Sequence, residues 1–186
     1  MLILTTGVVI SALSSTVAAA GKELMSNEID LANPFMAKRY AIVSLGLTIV
    51  VQCLVSMMVY SSSSTRITAL TSSDLEDVRV EYNTLIYVFL VMMFLETLNA
   101  HCAAMLLSLG LYKREMIIRT IILVVIQLPI ACFFISVTDL GIKGLFYAQM
   151  SGTVINLLIH IVKLLIVKWE EYSFSVFARD EICILG

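Results

Sequence analysis

The sequence has few of the residues that charge or break a helix. Its 186 residues include two prolines, eight glycines and one tryptophan. Charged residues make up only 14%, where a soluble domain carries about 25%. So few charges cannot clothe a soluble surface, whereas a 60% hydrophobic content fits a polytopic membrane protein. Basic runs and aromatic–basic interleaving are missing, which argues against a nucleic-acid partner. The four cysteines, Cys53, Cys102, Cys132 and Cys183, show no Cys-x-x-Cys or Cys/His spacing. A disulfide framework, a metal site or a bound cofactor is therefore not expected. No nucleophile–base pair or phosphate loop stands out, so an enzyme is not expected either.

What the chain does have is long apolar runs. Hydropathy gives five spans, at about 2–20, 40–60, 83–110, 116–137 and 144–167. The expected fold is all-α: a five-helix transmembrane bundle over residues 1–168, followed by a tail over 169–186. The first run has no basic residue before Lys22, so it lacks the charged start of a signal peptide and reads as a retained helix. Gly7, Ser11, Ser15 and Ala19 recur every four positions, a smooth stripe suited to close helix packing. A polar connector is expected from Gly21 to Arg39. Pro129 predicts a kink in the fourth span.

Lys and Arg set the expected orientation. Lys22, Lys38, Arg39, Lys113, Arg114, Arg119, Lys163, Lys168 and Arg179 fall on one side, and Arg66, Arg79 and Lys143 on the other. This bias predicts a cytoplasmic C-terminus and an outward-facing turn at Asp139.

Against this apolar background a few polar residues stand out. Glu96 is the only formal charge between Tyr82 and Lys113. At 1.5 Å per residue it lies roughly 20 Å from Asn83, near the bilayer centre. Holding a carboxylate there costs about 2.5–3.5 kcal/mol on insertion scales, so by default it marks an ion or substrate pathway. Its plain alternative is a protonated carboxyl bonded to one neighbour. Asn99, three residues on, is placed to bond it.

In the fifth span Gln149, Gly152, Asn156, His160 and Lys163 share one face, either a cavity wall or a helix interface. Glu96, Asn99, Asn156 and Gln149 are therefore the expected ion- or substrate-binding residues. His160, His101 and Gln127 are further candidates. Each has a bland reading: a neutral bonded imidazole for the histidines, and for Gln127 an amide that satisfies a carbonyl freed by Pro129. Lys163 is expected to snorkel, without a role. Ala100, Ala103 and Ala104 make another smooth stripe.

These residues in order resemble the C-terminal half of the multidrug and toxin extrusion (MATE) transporters. FLETLNAHCAAMLLSLGLYK is similar to the family's tenth helix, with Glu96, Gly110 and Lys113 in register. Leu128 and Pro129 match a Gly-Leu-Pro element. Residues 140–146, LGIKGLF, resemble the turn before the last helix, and Trp169 the tryptophan that ends it. Asn156 falls where many members have Gln. Ala20 to Leu24 resembles a worn V-G-N-x-L-G-A-G. The chain departs from the pattern at Leu107 and Ser108, at Gln127, at Met25 to Asn27, and at Ala19.

The resemblance implies helices eight to twelve of a twelve-helix, two-bundle fold. It implies export of organic cations or other xenobiotics by H⁺- or Na⁺-coupled antiport, through alternating access. The membrane would be the plasma membrane or a vacuolar or other endomembrane. A second half-transporter or a homodimer would supply the other bundle. Two other readings are a degenerate or truncated non-transporting membrane protein, and a lipid-linked glycan flippase of the same superfamily. The flippase reading predicts a basic cavity lining.

Overall fold

The computed structural model describes residues 2–61, 76–137 and 142–169, with side chains described except at 2–11, 14, 76–83, 112–114 and 142. Among the described residues the fold is all-α. Its helices are α1 (Leu2–Asp30), α2 (Pro34–Ser61), α3 (Glu76–Ser108), α4 (Tyr112–Ile122), α5 (Leu128–Val137) and α6 (Ile142–Ile166). A π-helical turn, Leu123–Gln127, joins α4 to α5 into one span. Among the described residues four spans are long and apolar enough to cross a membrane: Pro34–Ser61, Thr84–Ser108, Glu115–Val137 and Lys143–Ile166. The chain is thus a multi-pass membrane protein. The Asp139 turn and the tail beyond Trp169 lie outside the described residues.

The expected connector after the first span is mostly helix. α1 continues to Asp30, and only residues 31–33 separate it from α2. Local chemistry makes this turn. Ala32 takes φ 52°. The Ala32 amide donates to Ile29 O at 2.9 Å and the Asn33 amide to Glu28 O at 2.9 Å, the paired bonds of a Schellman stop. Asn33 then caps α2, its Oδ1 accepting from the Met36 amide at 3.4 Å, with Pro34 in the first helical position. The end of α3 repeats the device with Gly110 at φ 77°: Gly110 donates to Leu107 O and Leu111 to Leu106 O.

The fourth span answers Pro129 by winding wider instead of simply bending. Proline has no N–H for the carbonyl four residues back, and its ring crowds that carbonyl. The Leu128 amide instead donates to Leu123 O, five residues back.

α3 is the hub, in contact with α1, α2, α4 and α6. Half of its span is buried, against 6% of the α4–α5 span, which meets the bundle mainly through α6. One cluster joins Met25 and Ile29 of α1, Ala37 and Ala41 of α2, and Met105, Leu106 and Leu109 at the end of α3. Leu164, Val167 and Trp169 pack against it. A second joins Val59 to Ile86, Phe89, Leu90, Met92 and Met93, with Phe146 and Met150 packed alongside. In a bilayer such clusters hold by close van der Waals packing, since lipid is as apolar as they are.

The packing stripe of α1 is one position round from the expected one. Ala18, Gly21, Met25 and Ile29 are buried, while Ser15 and Ala19 are exposed; the side chains of Gly7 and Ser11 lie outside the described set. Gly21 is where small size matters. A Cβ there would overlap the Ser44 side chain and touch His101. On α3 the stripe at Ala100, Ala103 and Ala104 is not the seam either: Ala100 is exposed and the other two are half-buried.

Candidate functional site

α3 and α6 run parallel, in a fixed register. Phe89 meets Phe146 edge-on at 6.1 Å, and the Gln149 amide reaches Glu96. α4 runs antiparallel to α6: Gln127 contacts Gln149, and Glu115 contacts His160 and Lys163. Between the three lies a cavity of about 340 Å³. Glu96 and Asn99 line it from α3, Gln149, Thr153 and Asn156 from α6, and Met116, Arg119, Thr120, Leu123 and Gln127 from the fourth span.

The cavity sits at mid-span. Glu96 is the central residue of Thr84–Ser108, and Gln127 and Asn156 lie within two residues of the centres of their own spans. Glu96 is half-buried, and the Gln149 Nε2 donates to its Oε2 at 3.5 Å. The expected Asn99–Glu96 bond is not formed. Asn99 and Asn156 are 6% and 4% exposed, and neither Oδ1 has a hydrogen-bond partner. A buried carbonyl oxygen without a donor costs about 1–3 kcal/mol. Both oxygens are themselves wholly buried, which leaves the half-buried Glu96 carboxyl as the acceptor at the cavity, suited to a cation.

Gln127 does not serve the carbonyl freed by Pro129. Its Nε2 crosses to Gln149 O at 3.3 Å and so ties the π-turn to α6. Gly152 makes room for it, because a Cβ there would overlap the Gln127 side chain.

The two histidines are elsewhere. His101, 1% exposed, faces α2: its Nε2 lies 3.2 Å from Ser44 Oγ and its Nδ1 3.2 Å from Thr48 Oγ1. Each hydroxyl also has a backbone carbonyl within reach, Ala41 O at 3.1 Å and Ser44 O at 2.9 Å. A neutral imidazole donates at one nitrogen and accepts at the other, so one hydroxyl turns to the ring and every group is satisfied. Thr97 extends this contact, donating to Gln52 Oε1 at 3.4 Å. The stripe Ser44, Thr48, Gln52 has the same four-residue spacing that marks the α6 face, and it was readable in the sequence.

His160 packs at the other end of the cavity wall, its Nε2 2.8 Å from Glu115 Oε2. That is ion-pair range, although the ring N–H does not point along the line to the oxygen. Lys163 does not snorkel freely: its ammonium pairs with Glu115 Oε1. Glu115, which lies between the expected third and fourth spans, is 8% exposed and pairs α4 with α6. Arg119, Thr120 and Thr153 are further cavity residues not singled out in the sequence. No family model matches this chain, and no curated protein matches it.

Proposed function

We propose that the chain is part of an H⁺- or Na⁺-coupled exporter of organic cations, of the MATE type, and that the Glu96 cavity is its binding site. One observation carries the reading. A carboxyl at the centre of a membrane span lines a cavity that it shares with the amide side chains Asn99, Gln127, Gln149 and Asn156. Charged groups at that depth are costly and face cavities that conduct or carry. A single carboxyl that takes either a proton or a cation couples the two by competition. The sequence resemblance and the predicted cytoplasmic C-terminus belong to this proposal and agree with it.

The test needs only binding, not a full transport cycle. Purified chain in weakly buffered lipid nanodiscs receives tetraethylammonium, and a pH dye reports protons released. Binding should release protons, and Glu96→Gln should abolish the release while leaving the protein monodisperse. Release unchanged in Glu96→Gln, or cation binding that neither releases protons nor yields to Na⁺ in a Glu96-dependent way, rules out Glu96 as the coupling group. An Na⁺-coupled site instead shows tetraethylammonium displaced by Na⁺ in a Glu96-dependent way.

A further inference from the structure

The cavity has a charge of the opposite sign as well. Arg119 lines it from α4, on the side away from the membrane centre. It stands four residues into the Glu115–Val137 span, about 10 Å along the axis from the level of Gln127 and Glu96. Register with α6 places it near Asn156, between the Glu96 level and the Glu115 cluster.

Arg119 has no ion-pair partner among the described residues. The acid that helix spacing offers it is Glu115, one turn earlier. That carboxylate is already held by Lys163 and lies against His160. Arg119 is itself exposed while lining the cavity, and such a guanidinium can take a carboxylate or a similar anion by paired N–H bonds. At the other end is the half-buried Glu96 carboxyl, with Asn99 and Asn156 beside it.

The geometry points to a zwitterionic ligand. Its ammonium would sit at Glu96, and its anionic group would sit on Arg119, about two helical turns away. A volume of about 340 Å³ is at the small end of ligand cavities, so the ligand is compact. The inference rests on the binding role proposed for Glu96, and narrows the organic cation of that reading to one that also carries an acid.

The experiment uses the full chain in nanodiscs and ω-amino carboxylates of graded length, each beside its ω-amino amide. The amide keeps the ammonium and removes the negative charge. At the best length the carboxylate should bind about tenfold more tightly than the amide. Arg119→Gln should bring the carboxylate down to the amide's affinity without changing the amide, and Arg119→Lys should keep part of the preference. If wild-type protein binds carboxylate and amide equally at every length, with Glu96→Gln still abolishing both, then Arg119 only snorkels to the interface. The zwitterion inference then falls and the cation site stands. If neither series binds in a Glu96-dependent way, both fall together. The wild-type comparison decides the matter even where a variant fails to fold.

Discussion

Helix α3 turns polar side chains toward two neighbours, and the two sides are finished differently. Toward α2, His101 and Thr97 meet Ser44, Thr48 and Gln52 in a seam with an imidazole, hydroxyls and backbone carbonyls all in reach of one another. Toward α6, Glu96 and Asn99 meet Gln149 and Asn156 across open space, and two amide oxygens go unanswered. The residues differ little in polarity. Backbone approach is not the difference, since α3 packs at least as closely on α6 as on α2; the difference lies in the third helix beside each pair. Gly21 lets α1 close down on Ser44 and His101, and the seam becomes part of the core. The fourth span, little of which is buried, leaves a cavity between itself, α3 and α6. Polar residues inside a membrane thus join the core where a third helix closes over them, and line a cavity where it does not.

The largest expected effect uses one change on both sides. Gly21→Ala puts a methyl into the Ser44 Cβ, which cannot move without its helix, and should cost about 2–3 kcal/mol. Gly152→Ala meets only the flexible end of Gln127, which can swing into the cavity, and should cost less than about 1 kcal/mol while shrinking the binding space. Detergent-titrated unfolding in mixed micelles measures both. Equal losses would mean that the two faces are equally tight, and the contrast would be gone.

A second pair removes polarity instead of adding bulk. His101→Leu discards two hydrogen bonds of the seam and should cost about 1–2 kcal/mol, since intramembrane bonds average about 0.6 kcal/mol each and the apolar side chain fits the ring's space poorly. Asn99→Leu removes an oxygen that bonds nothing, so stability should hold or rise by up to about 1 kcal/mol. Tetraethylammonium binding, measured in the same preparations, should survive the first change and weaken in the second. A stability loss in Asn99→Leu as large as that in His101→Leu would show that Asn99 is glue after all.

The smallest effect calibrates the scale away from both faces. Ala32 and Gly110 hold the same left-handed position in two Schellman stops. Ala32→Gly should add about 1 kcal/mol, and Gly110→Ala should remove about as much, read from the same unfolding curves. If the pair shows no opposite signs, sub-kilocalorie differences elsewhere in this protein carry no meaning.

Much of this was legible in the sequence, for a simple reason. Glu96, Asn99, Gln127, Gln149 and Asn156 are polar in apolar runs, and all five line the cavity. Their functional role is a separate matter, and the binding tests address it. What escaped was pairing. Nothing in one helix says that Glu115 will meet His160 and Lys163, because the contact depends on how α4 and α6 slide past each other. The charge count had used Arg119 only to orient the chain, and that hid its place in the cavity wall. Thr120 and Thr153 are too ordinary in membrane helices to attract notice. The helix ends were misjudged where a connector rich in Glu, Asn and Lys proved helical through Asp30. There the docking of Met25 and Ile29 on α2 and α3 outweighed local polarity.

The π-turn has an angular consequence. Arg119 and Gln127 are eight residues apart, and on a regular spiral of about 100° per residue their directions would differ by about 80°. One additional residue in a wide turn takes back about 100° and leaves them about 20° apart. The span is therefore two spirals with different azimuths joined at residues 123–127, and a single helical wheel drawn through it misplaces α5 relative to α4. Pro129, which lines none of the cavity, thus sets the compass bearing of the guanidinium that does.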